Sequence, residues 1–176
     1  MKKTIFTEKD YNSGDGMLTG IWGPPLWHTL HTISFNYPIK PTKEDKENYY
    51  NYFNNLKYVL PCGLCRNNLN NNLKKVPLKK SVFKNRETLS KWVYTLHEEV
   101  NKMLKKKSKL SYKDVRERYE MFRSRCLKEK LVNTKKESGC VDSLYGVKSK
   151  CVLNIVPKDT KCNSIKIDSK CKIKKK

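Results

Sequence analysis

Tyr49, Tyr52, Phe53, Leu56, Val59 and Leu60 return at the i, i+3, i+4, i+7 spacing of one helix face, and Pro61 then stops the pattern. This period constrains the chain most, because from Trp22 to about Cys126 hardly any stretch alternates as a strand would. Trp22, Leu26, Trp27, Leu30, Ile33 and Tyr37 mark a first helix, with Pro24 and Pro25 tolerable only near its start and Pro38 beyond its end. Thr42, with Asp45 three residues on, has the form of a capping box for the second helix. A third helix runs from Cys62 through Leu69 and Leu73 to about Val76, where Pro77 ends it. Asn85 caps a fourth, whose stripe is Leu89, Trp92, Val93, Leu96, Val100, Met103 and Leu104. Ser111 and Asp114 open a shorter helix bearing Val115, Tyr119 and Phe122. The expected fold is all-α, a four-helix bundle with a short fifth helix.

The chain's 176 residues suit one domain, expected over 20–122 after a flexible N-terminus over 1–19. The period fails after Cys126, and residues 127–176 read as a flexible basic tail, rich in Lys and poor in aromatics. Lys+Arg 39 against Asp+Glu 17 gives a net charge of +22, which suits nucleic acid, anionic lipid or acidic proteins as partners. Lys outnumbers Arg and no nucleic-acid motif is present, so a solvated basic surface is the plainer reading. Residues 1–16 lack the apolar run of a signal peptide, and no segment reaches the roughly 20 apolar residues of a membrane span. A soluble cytosolic chain is expected.

The chemistry centres on PCGLC (61–65). A structural zinc site needs four ligands, and Cys62 and Cys65 have no second CxxC; His28, His31 and His97 are the chain's three histidines. A zinc-linked pair in a basic helical binding module is therefore the alternative reading. Redox chemistry fits the local physics better. Pro61 sets both thiols at a helix start, where free N–H groups and the dipole favour a thiolate. CxxC spacing there lets a disulfide open and reform, and a flavin held between helices is an attractive electron acceptor.

Taken in order, WGPPLWHTLH (22–31), PCGLC (61–65), KWVYTLHEEVNKML (91–104) and YKDVRERY (112–119) resemble the Erv/ALR family of FAD-linked sulfhydryl oxidases. The likeness is greatest to the short forms encoded by large DNA viruses. It implies a homodimeric thiol oxidase that makes protein disulfides, passing electrons through Cys62 and Cys65 to FAD and then to O2, giving H2O2. Cys65 is implied to lie against the flavin and Cys62 to exchange disulfides with incoming thiols. Gly23, Trp27, His31, His97, Asn101, Lys106 and Tyr119 are implied to bind FAD, with Lys106 at the phosphates. Trp92 keeps the reading of a core residue. A degenerate member that keeps the fold without FAD is a third reading.

The departures also inform. Tyr94 and Tyr112 stand where cellular members carry a structural disulfide, Glu98 stands where an Asn usually follows the His, and Tyr119 replaces a Trp. Cys140, Cys151, Cys162 and Cys171 are candidates for a shuttle that relays electrons from substrate to Cys62. Viral relatives often use a separate thioredoxin-like protein instead. The resemblance places the chain in the host cytoplasm or the virion.

Overall fold

Side-chain caps start three of the long helices where the sequence expects them. The computed structural model describes residues 7–12, 16–125 and 142–143. Helix α1 is a single turn, Glu8–Tyr11, and α2 spans Thr19–Asn36. Helices α3 (Lys43–Val59) and α5 (Arg86–Met103) begin at reciprocal capping boxes, Thr42 with Asp45 and Asn85 with Thr88. Helix α4 spans Gly63–Lys75, and α6, Tyr112–Glu120, starts at the box of Ser111 and Asp114. Each box satisfies backbone N–H groups that a helix start leaves without partners.

Helix α2 departs from expectation. It begins at Thr19, before Trp22, so Pro24 and Pro25 lie inside it. These prolines remove the donors that the Gly20 and Ile21 carbonyls would take in a regular helix. The N-terminal turn is held instead by the Leu18 carbonyl, which accepts from Ile21 N–H at 2.9 Å and Trp22 N–H at 3.4 Å. No side chain caps it. A 3-10 turn over Lys80–Lys84, which the periodicity does not announce, links α4 to α5.

Helix α2 packs chiefly on α5 and α3 on α4, which makes the four-helix bundle; α6 lies against α2 and α5 as the short fifth helix. Phe53 and Trp92 meet edge-to-face at 5.6 Å in the core, and the Trp92 indole N–H donates to the Val76 carbonyl. Tyr37 is fully buried, its hydroxyl donating to the Phe83 carbonyl at 3.0 Å. Burying such side chains contributes roughly 1.5–3 kcal/mol each. Tyr94 and Tyr112 touch, with ring centroids 5.8 Å apart, and their hydroxyls bond the Leu110 carbonyl and Ser90 Oγ. An aromatic contact thus joins α5 to the start of α6.

A two-residue antiparallel ladder pairs Ser124–Arg125 (β1) with Asp142–Ser143 (β2). Apart from β2, the expected tail and its Cys140, Cys151, Cys162 and Cys171 lie outside the described residues. Among those described, no helix is long and apolar enough to cross a membrane.

Candidate functional site

Pro61 breaks the chain between α3 and α4, and the sulfurs follow from that break. Leu60 is extended, as a residue before proline must be, and Cys62 is extended as well, which makes it the N-cap of α4. Its Sγ accepts from Cys65 N–H at 3.1 Å. Cys62 and Cys65 form a disulfide across a Cα separation of 5.1 Å. Arg66 secures the corner by donating from Nη1 to the Leu60 carbonyl at 2.6 Å. The disulfide therefore sits at the positive end of a helix, where a leaving thiolate is stabilised.

The two sulfurs have different surroundings. Cys65 is half-buried and lines a cavity of about 480 Å³ bounded by α2, α3, α4, α5, Lys106 and Tyr119. Cys62 is 7% exposed and is not among the lining residues. Gly23, Trp27, His31, His97, Asn101, Lys106 and Tyr119 all line the same cavity as Cys65. Residues far apart in sequence are thus brought onto one space.

Its aromatic wall is continuous. Trp27 stacks on His97 with centroids 4.0 Å apart and planes 3° from parallel. His31 Nε2 lies 3.1 Å from His97 Nδ1, so one ring donates to the other. Tyr119 stacks on His31 and on Phe35, and its hydroxyl lies 3.1 Å from His28 Nδ1. Burial, followed by the charges of His97 and His28, lowers His31 to a pKa of about 4. Burial also lowers His97, with Glu98 pulling it back up and Lys106 pushing it further down. Both imidazoles are neutral at physiological pH. His31 Nδ1 is buried without a hydrogen-bond partner among the described residues, a state that native structures rarely leave unexplained.

Lys106 reaches the wall through a backbone device. After α5, Lys105 takes a left-handed conformation with φ 54°. Lys106 N–H then bonds the Asn101 carbonyl and Lys105 N–H bonds the Lys102 carbonyl, the pair of bonds of a Schellman motif. Asn101 is itself oriented by its Nδ2, which donates to Glu98 Oε1 at 3.0 Å. Glu98, where the resemblance leads one to expect Asn, thus acts on the cavity through Asn101.

Asn68 and Asn72 also line the cavity, and Asn72 is 2% exposed. Sequence reasoning missed both. Their signal was available: Cys65, Asn68, Leu69 and Asn72 follow the i, i+3, i+4, i+7 stripe of α4. Trp22 and Met103, read from the sequence only as helix-stripe residues, line it as well. Among the described residues, no group of three or more His, Cys, Asp or Glu is arranged to hold a metal. With both cysteines in a disulfide, the zinc-linked alternative finds no support.

The family model described as Erv1 / Alr family matches residues 24–120. A probable FAD-linked sulfhydryl oxidase of Acanthamoeba polyphaga mimivirus is 44% identical over 80 residues, 46% of this chain and 56% of that protein. The chain therefore spans little more than half of that relative's length. An FAD-linked sulfhydryl oxidase of African swine fever virus (isolate Tick/Malawi/Lil 20-1/1983) is 32% identical over 99 residues, 56% of this chain and 80% of the viral protein. Among solved structures, the yeast Erv1 core has a TM-score of 0.53 at 25% identity, covering 60% of this chain and 86% of that one. The FAD binding domain of Erv1 from Saccharomyces cerevisiae gives the same TM-score and identity, covering 58% and 94%.

Proposed function

The chain belongs to the Erv1 / Alr family, and on that premise we propose that it is an FAD-dependent thiol oxidase that forms disulfides in proteins. The observation that carries this reading is the wall shared by Cys65 and the aromatic cavity. The residues present fit a flavin nucleotide. Flat indole and imidazole faces suit a planar ring system, His31 Nδ1, buried with no partner among the described residues, can bond a ligand, and Lys106 supplies a cation for phosphates. When bound, FAD supplies a two-electron acceptor whose final oxidant is O2 and whose product is H2O2.

The chain's own residues perform the thiol chemistry. A substrate thiolate bonds to Cys62 Sγ, the Cys62–Cys65 bond breaks, and Cys65 leaves as a thiolate at the N-terminus of α4. A second substrate thiolate then attacks the substrate sulfur of the mixed disulfide and releases Cys62. Two electrons pass to the cysteine pair, two protons are released, and one substrate disulfide forms. Neutral His31 and His97 keep positive charge away from the stacked wall, while Tyr119 and Trp27 hold its planes.

Protein thiols and O2 are the substrates under this reading. It extends to a homodimer, and to delivery of oxidising equivalents by a thioredoxin-like viral protein or by the tail cysteines. Viral relatives support a setting in the host cytoplasm or the virion. The test is direct. The purified chain carries yellow flavin, and Cys65→Ser keeps the flavin but loses turnover. A colourless chain, or normal turnover in that variant, refutes the proposal.

A further inference from the structure

The chain's own N-terminal segment lies against the backbone at Cys62, whose sulfur must meet a substrate thiol, and Cys62 is 7% exposed. Gly16 adopts φ +79°, a conformation that favours glycine, and lies so close to the thiol corner that an added Cβ would fall 2.2 Å from the Pro61 oxygen and 2.7 Å from Cys62 Cα. Both of those neighbours are backbone atoms, which cannot swing aside as a side-chain tip does. The next residue closes the contact, since Met17 N–H donates to the Pro61 carbonyl at 2.7 Å. Its own carbonyl accepts from the Trp22 indole N–H at 2.8 Å. The segment is thus tied at one end to the residue before Cys62 and at the other to α2. Met17 itself is 68% exposed, so backbone bonds and the absence of a side chain at Gly16 hold this strap.

We propose that Gly16–Met17 is a gate over Cys62 that sets which thiols the enzyme accepts. The inference rests on the oxidase reading above, in which a substrate thiolate bonds to Cys62 Sγ as the Cys62–Cys65 bond breaks and Cys65 departs with the electron pair. With the strap closed, Cys62 is 7% exposed. Opening breaks one hydrogen bond at Pro61 and withdraws Gly16, without disturbing the capping boxes or the bundle core. A small thiol needs little opening. A thiol carried on a protein needs the strap displaced, and thiols on extended, flexible segments meet the smallest barrier. Gly16, Met17 and Trp22 are specificity-determining residues in this scheme, with no part in the sulfur chemistry.

The test reads access to Cys62 without turnover or flavin. The full chain is reduced, freed of reductant, and labelled with iodoacetamide or with a maleimide carrying a polyethylene glycol chain. Cys62 and Cys65 are then followed separately by peptide mass spectrometry. Gly16→Ala cannot keep the close approach, and Met17→Pro removes the N–H that binds Pro61. Each variant is expected to speed bulky labelling of Cys62 roughly tenfold by raising the open fraction, with a smaller gain for iodoacetamide. Circular dichroism confirms that each variant is folded. Bulky labelling of Cys62 at the wild-type rate in either folded variant overturns the gate. A wild-type chain that binds no flavin refutes the oxidase reading alone and leaves the labelling result standing.

Discussion

Lowering the pH should destabilise this fold through one histidine more than through any exposed group. His31 is 4% exposed and has a pKa of about 4 in the folded chain, against 6.5 for the free side chain. Above pH 6.5 both folded and unfolded chains hold it neutral, and its contribution to stability is complete. As pH falls below 6.5, the unfolded chain takes up a proton that the folded chain refuses. Stability therefore drains until about pH 4, where the folded chain takes up the proton too. At about 1.4 kcal/mol per pH unit, the full loss is about 3 kcal/mol. The perturbation is His31→Gln, which cannot titrate. Urea unfolding of the flavin-free chain, wild type and variant, at neutral pH and near pH 4 gives four free energies and one double difference. Because His31 Nε2 and His97 Nδ1 share a hydrogen bond, the double difference reads the pair. Wild type should lose about 3 kcal/mol more than the variant between the two conditions. A double difference below about 1 kcal/mol would refute the argument that burial keeps His31 neutral.

Two further outcomes are expected. Lys105→Gly should stabilise the chain by about 0.5–1 kcal/mol, because it relieves a side chain held at positive φ in the Schellman motif; a lowered midpoint in thermal unfolding contradicts that account. Lys106→Glu should weaken flavin retention by roughly tenfold or more, read as flavin released on dilution, through loss of a charge-assisted contact to phosphate. Unchanged retention would remove Lys106 from the cofactor site.

Local signals explain why so much of the bundle was legible. Thr42 with Asp45 and Ser111 with Asp114 announce helix starts because a capping box acts within four residues, and the structure contains both. The stripe Leu89, Trp92, Val93 and Leu96 marks a buried face, and all four are buried. The start of α2 was not legible, because no side chain caps it. Contacts made by Leu18, Met17 and Pro61 define that end, and the last of these lies in another part of the chain. The 3-10 turn before α5 is likewise fixed by Phe83, buried against Tyr37 and Tyr50, and not by its own propensity. In the site, the resemblance supplied Trp27, His31, His97 and Tyr119, whereas Asn68 and Asn72 emerged only once α4 was seen to turn the stripe of Cys65 toward the cavity.

The sequence by itself determined what acts over a few residues: the helices, most of their caps, and two sulfurs set at a helix start by Pro61. Tertiary structure alone decided which sulfur faces which surroundings. Cys65 lines the aromatic cavity because α4 packs with that face inward, and Cys62 is buried at a corner where Gly16, far away in sequence, comes down on Pro61. The pairing of His31 with His97 across 66 residues is of the same kind. Periodicity specifies that a face is buried, but only the packing of one helix on another specifies what it is buried against.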